Sequence, residues 1–285
     1  MTNIDSHHYP SNDVVRLSWD MYQRKLPSIP EKLGFQMENF GHFMRITESQ
    51  IGLGHLLSKG QSDICIWAHL ELQIAVGLFE ATYCQGAAKT TPIEVLGTAI
   101  TVPTGRTRFG SDSQWMRGFA FGMLLRDESA MKSLANHNPH GSYETHTALW
   151  GDALIMWLIG DQDPTQVLEL AAGYTDEDEY QPELAVKVHK PLILATQAIY
   201  DGDATRFNEC LAEALRGHKA VLGTGEAANS PANLLSFEAL GLCALAYDRG
   251  LPIEVESGYI PQWIYEGGCK ERPDLQAYVK EVSGG

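Results

Sequence analysis

Ser62-Asp-Ile-Cys-Ile-Trp-Ala-His-Leu-Glu-Leu-Gln-Ile-Ala-Val-Gly-Leu-Phe79 decides the fold class. Ile64, Trp67, Glu71, Ile74, Leu78 and Phe79 return at helical spacing, a mixed but mainly apolar stripe. Ser62 and Asp63 can cap its start, and Gly86 suits its end. The same period runs upstream from Glu31 to Leu57, through Leu33, Met37, Phe40, Met44 and Ile51, with Pro30 fitted to a first turn.

Downstream, helices are expected at Asp112 to Leu125, Glu128 to Ala135, Tyr143 to Ile159 and Pro164 to Ala172. Pro182 to Tyr200 is apolar and helical, and Pro191 inside it predicts a kink or two helices. Two further helices follow, from Asp203 to about Leu222 and from near Pro231 to Gly250. Only two stretches read as extended. Pro92 to Pro103 carries Ile93, Val95, Ile100 and Val102 among threonines, and predicts a short strand or hairpin. Residues 252 to 257 alternate apolar and acidic. The expectation is a mainly α fold: a multi-helix array or bundle in one unit over residues 1 to 285, with 1 to 10 and 281 to 285 frayed. A helical-repeat solenoid is the alternative, although no spacing recurs.

Composition narrows the function classes. Twenty-one basic against 36 acidic side chains give a net charge of −15, which disfavours direct binding to nucleic-acid phosphates and suits a basic partner. The longest uninterrupted apolar run, Ala153 to Ile159, is short of a membrane span, and Met1 to Pro10 lacks the pattern of a signal peptide. A cytoplasmic location without membrane association is therefore expected. Cys65, Cys84, Cys210, Cys243 and Cys269 are scattered without paired spacing, and are expected to be reduced thiols.

Two clusters could carry chemistry. His137, His140, Glu144 and His146 offer metal-ligand atoms, but their spacing matches no helical two-histidine site and Pro139 and Gly141 would scatter them. Glu254 and Glu256 share one face of an extended segment, roughly 6 to 7 Å apart. Paired carboxylates can hydrolyse glycosides, yet no aromatic sugar platform accompanies them. Phosphate loops, dinucleotide fingerprints, nucleophile elbows and zinc-protease motifs are absent from the sequence. No metal, cofactor or catalytic residue is assigned. The acidic run Asp176, Glu177, Asp178 and Glu179 reads as a solvated loop or a docking patch.

Phe207-Asn-Glu-Cys-Leu-Ala-Glu-Ala-Leu-Arg-Gly-His-Lys219, the alanine-rich segment ending Asp248-Arg-Gly250, and Pro252-Ile-Glu-Val-Glu-Ser-Gly-Tyr-Ile-Pro261 together resemble the C-terminal signature of the immunity protein 49 family. Weaker echoes lie at Trp67-Ala68, Trp115, Arg126-Asp127 and Leu134-Ala-Asn136. The chain departs from the family pattern at Gly217, where a tryptophan is usual, and at Gly258, where a glutamate is common. The resemblance implies an immunity protein that binds and inhibits a cognate polymorphic toxin encoded nearby, by occlusion and without catalysis. The acidic balance suits a basic nuclease as that toxin. Asp176, Glu177, Asp178, Glu179, Glu254, Glu256 and Tyr259 are the candidate contacts. The rival readings are a helical-repeat interaction scaffold and an enzymatic immunity hydrolase using the histidine cluster or the Glu254–Glu256 pair.

Overall fold

The computed structural model describes residues 1–9, 12–84, 89–139, 145–177 and 180–283. The chain begins with a strand, β1 (Thr2–Ile4), where a frayed end was expected, and continues into helices α1 (Asn12–Lys25), α2 (Ile29–Leu33) and α3 (Glu38–Leu56). The periodic segment from Glu31 to Leu57 is thus two helices. Helix α2 ends at Gly34, and Gly34 to Met37 turn the chain before the apolar phase resumes.

Helix α4 (Gln61–Thr82) contains the decisive stretch. It starts after Gly60, with no side-chain cap from Ser62 or Asp63, and it stops before Gly86, which lies outside the described residues. By length and composition α4 could cross a membrane, yet 83% of its most apolar window is buried in the fold. It is the central core helix. Helices α3 and α4 form an antiparallel hairpin whose register is fixed by three approaches: Phe40 to Gly77, Thr47 to Glu71, and Gly54 to Ile64.

Strands β2 (Thr90–Val95) and β3 (Thr98–Pro103) form the expected antiparallel hairpin, with Val95 and Val102 buried. Then come α5 (Asp112–Leu125), α6 (Glu128–Asn136), α7 (Thr145–Leu158) and α8 (Thr165–Tyr174). Asp127 caps α6 by accepting from the amide of Ala130 at 2.9 Å, satisfying one of the free donors of the first turn. The proline-interrupted segment is resolved into a short turn α9 (Pro182–Leu184), a π-helical turn at Ala185–His189, and α10 (Lys190–Asp201). Pro191 therefore occupies the first turn of α10, where it has no amide bond to lose.

Helix α11 (Ala204–Leu222) is capped by Asp203, whose carboxylate accepts from the Arg206 amide at 2.9 Å. Pro231–Leu234 is a 3-10 turn, and the last signature helix, α12 (Phe237–Asp248), begins only after it. Gly250 adopts φ of 76°, the left-handed conformation that closes a helix, and β4 (Val255–Ser257) follows. A final helix, α13 (Leu275–Ser283), was not anticipated. Strand β4 pairs in parallel with β1, Thr2 opposite Val255 and Ile4 opposite Ser257.

Helix α5 lies between α4 and α12, and the close approach is made possible by small residues. A Cβ on Gly241 would stand 2.8 Å from the carbonyl oxygen of Ala120, so α12 touches the backbone of α5. Trp67, Trp115, Phe119, Phe121 and Phe237 fill the space around this seam, each essentially without solvent exposure. Burying each such ring contributes about 2 to 3 kcal/mol, so this seam is a substantial part of the core. The indole of Trp115 donates to the Leu134 carbonyl at 2.8 Å, tying α6 to it.

Two of the five cysteines depart from expectation. Cys65, near the start of α4, and Cys269 form a disulfide with an S–S distance of 2.02 Å. Their sequence separation of 204 explains why spacing gave no sign of the pairing. Cys210 and Cys243 are thiols buried as small hydrophobes.

Candidate functional site

The sequence-derived candidates fall in different places. Asp176 and Glu177 are exposed, and Asp176 receives an ion pair from Lys190 at 2.8 Å; Asp178 and Glu179 lie outside the described residues. Glu254 and Glu256 are exposed on either side of buried Val255, as the alternation required. Asn208 of α11 clamps this segment, donating to the Pro252 carbonyl at 2.9 Å and accepting from the Glu254 amide at 2.6 Å. The two acidic patches do not meet. Lys187, next to the first patch, abuts Gly217, whereas the second is tied to Asn208, nine residues or about 14 Å away along α11.

Tyr259 is a different matter, because its side chain has no solvent exposure. Its hydroxyl accepts from the His7 amide at 2.9 Å and lies 3.0 Å from His7 Nδ1, and its ring packs at 4.6 Å from that of His218. This places Tyr259 in the seat of the N-terminal segment and off the surface. His218 Nε2 meets the Asn233 carbonyl at 2.9 Å, and burial pushes its pKa down to about 4. The signature residues Asn208, His218 and Tyr259 are therefore mutually supporting parts of the fold.

The departure at Gly217 has a steric cause: a Cβ there would lie 1.9 Å from the Lys187 carbonyl oxygen, so the π-helical turn can seat on α11 only against glycine. Gly258 is similar, since its missing Cβ would stand 2.9 Å from the hydroxyl of Ser6.

Of the histidine cluster, His140 and Glu144 lie outside the described residues, and His137 turns back to the Ser133 carbonyl of its own helix. His146 is buried, its Nε2 2.9 Å from Nδ1 of His189. Among the described residues no group of three or more metal-ligating side chains forms.

His189 leads to a polar centre that the sequence reading missed. Arg117 of α5 donates from Nε to Glu238 Oε1 of α12 at 2.6 Å and from Nη1 to Glu48 Oε1 of α3 at 3.1 Å. Its guanidinium also lies over the Phe237 ring at 5.3 Å, which orients it. Burial opposes ionisation of Glu238, but the charge and hydrogen bond of Arg117 prevail and hold its pKa below the ordinary carboxylate value. Glu48, with the longer bond, goes the other way, raised by burial and by the nearby Glu238 charge. Deeper in the α3–α4 hairpin, Glu71 contacts the Thr47 hydroxyl and is raised well above its usual range by burial and by Glu48.

A cavity of about 210 Å³ opens onto this centre. Arg45 and Glu48 from α3, Arg117 from α5, Gln181 and His189 from the α9 and π-helical turns, and Glu238 from α12 define it. One signal of it was present in the sequence. Glu48 sits four residues after Met44 and three before Ile51, in the apolar phase of its helix, where an acid needs a partner.

The fold and this site define a mainly α-helical protein with an ion-paired polar centre, a small cavity and exposed acidic edges. The chain belongs to the immunity protein 49 family, whose model matches residues 60–264, and it is accordingly an immunity protein. No curated protein and no solved structure matches the chain.

Proposed function

We propose that this immunity protein binds a cognate toxin acting in the bacterial cytoplasm and inhibits it by covering its functional surface, without making or breaking a bond. Family membership over residues 60–264 carries the reading, because it implies a toxin as partner. Charge supports the finer part: with 36 acidic against 21 basic side chains, the molecule attracts a basic protein such as a nucleic-acid-directed toxin. Asp176, paired with Lys190, and Glu177 on one edge and Glu254 and Glu256 on another are among the exposed acids that contribute to this attraction. An interface of standard size, about 1,600 Å², reaches nanomolar affinity when a few anchors are well seated.

The test is co-purification with the product of the adjacent reading frame, followed by an activity assay of that product alone and in the mixture. A stable complex with loss of toxin activity is the expected outcome. Failure to associate, with protection nevertheless observed in cells, would replace occlusion by an enzymatic mechanism.

A further inference from the structure

The centre around Arg117 gathers carboxylates from three helices. Glu48, Glu71 and Glu238 all act on this single, partly buried guanidinium. Glu48 and Glu238 both meet Arg117 directly, so two carboxylates share one guanidinium. A carboxylate at low exposure has few waters to hydrogen-bond and gains from a further donor, and the side chains of Glu48 and Glu238 are only 13% and 15% exposed. Each carboxylate meets Arg117 through Oε1, leaving its other oxygen off that contact. Arg45 and His189 also line the cavity; Arg45, an exposed residue over the Phe109 ring at 5.8 Å, favours the charged form of Glu48, and His189 that of Glu238.

The cavity's size restricts what can enter and use the carboxylate oxygens that Arg117 leaves. At about 210 Å³ it is smaller than the roughly 300 to 1,000 Å³ of small-molecule sites. It is large enough for one long side chain. A guanidinium presents five donors in a plane and can serve two carboxylates together, which an ammonium does less well.

We infer that this cavity is an anchor pocket for one arginine side chain of a basic protein partner, received between Glu48 and Glu238. The inference rests on the proposed toxin-binding reading for the partner's identity, but the pocket's preference for a guanidinium can be measured without it. Arginine seated in a desolvated pocket is a common centre of binding energy, with surrounding contacts serving to exclude water. The exposed acidic edges would then steer the partner, and the pocket would hold it.

The experiment has two arms, both on the full chain. In the first, L-arginine amide is titrated into the protein into the tens of millimolar while the imidazole resonances of His189 and His146 are followed by NMR, with L-citrulline amide as the uncharged isostere. Saturable shifts with arginine amide, absent with citrulline amide and lost in Ser113→Trp, are expected. Ser113 lines the cavity without belonging to the ion pairs, so the bulky residue closes it while Arg117 keeps its partners. Glu48→Gln removes one acceptor and should weaken binding likewise; the thermal transition of each variant shows that it is folded. Equal response to both amides, or none to either, overturns the pocket.

In the second arm, the adjacent-frame product is bound to wild type and to Ser113→Trp. A loss of about tenfold or more in affinity is expected for an anchor contact. Undiminished affinity in the variant overturns the pocket while leaving toxin binding intact. No association even with wild type counts against toxin binding and leaves the pocket to be judged by the amide titration.

Discussion

Gly217 and His218 are neighbours that show how a single position is fixed by what lies against it. Replacing Gly217 by alanine forces a methyl group into the Lys187 carbonyl, whose oxygen is 1.9 Å from where the Cβ would be. Backbone cannot yield as a flexible side chain would, so a loss of about 2 to 3 kcal/mol in urea unfolding is expected, and more for the tryptophan usual in the family. His218 gives a pH-dependent prediction. Its folded pKa is lowered from 6.5 to about 4 by burial, so the unfolded chain binds the proton more readily. The stability that the neutral ring contributes is present above pH 6.5 and is lost as pH falls toward 4, by about 3 kcal/mol. Glu48 and Glu71, raised by burial, are relieved by acid and oppose this trend, so the informative quantity is wild type minus His218→Gln at each pH. A difference that stays constant across that window would show that the ring is not buried neutral. Neither environment was readable beforehand, because Lys187 and Asn233, which define them, are far from the contact in ordinary helix periodicity.

Elements were more legible where a polar or turn-forming break brackets an apolar run. The β2–β3 hairpin and the helices α5, α6, α7, α8 and α11 fall within a few residues of their expected limits, since each shows a phase of apolar residues and a polar break. The end segments were not legible. Three residues of β1 carry no pattern of their own, and become a strand only because β4 supplies carbonyls and amides in register. Removing residues 1–8 would uncover Tyr259 and His218, so a lowered thermal transition and faster hydrogen exchange in α11 are expected. An unchanged transition would mean that the strap is not seated in solution. The Cys65–Cys269 link is the second such tie, closing most of the chain into one loop. Chain entropy allows it up to about 5 kcal/mol of stabilisation, with measured links giving less. Oxidised protein should therefore unfold at higher urea than protein kept in dithiothreitol, and the Cys65→Ser variant should match the reduced form. Beside the link, the His69 ring meets the Cys269 carbonyl at 2.8 Å.

At the scale of the whole molecule, the fold class was written in the periodicity, whereas the polar centre was not, because it is assembled from α3, α5 and α12, whose ion-pairing residues lie 69 and 121 positions apart. Net charge, by contrast, is a property of composition and survives any folding detail. A charge of −15 on 285 residues creates a long-range field that a basic partner feels before contact, and that salt screens over about 8 to 10 Å at physiological strength. Steering of this kind acts on the association rate, and contacts made after docking act on dissociation. Stopped-flow mixing with the adjacent-frame product over a series of salt concentrations should show the association rate falling steeply while dissociation changes little. Replacing Glu254 and Glu256 by glutamine should flatten that dependence slightly, since two charges among 36 acids are a small share of the field. Closing the cavity with Ser113→Trp should instead leave the association rate and its salt slope alone and speed dissociation. If both substitutions changed the same rate constant, surface charge and pocket would not be doing separate jobs, and the division between a steering surface and an anchoring cavity would have to be given up.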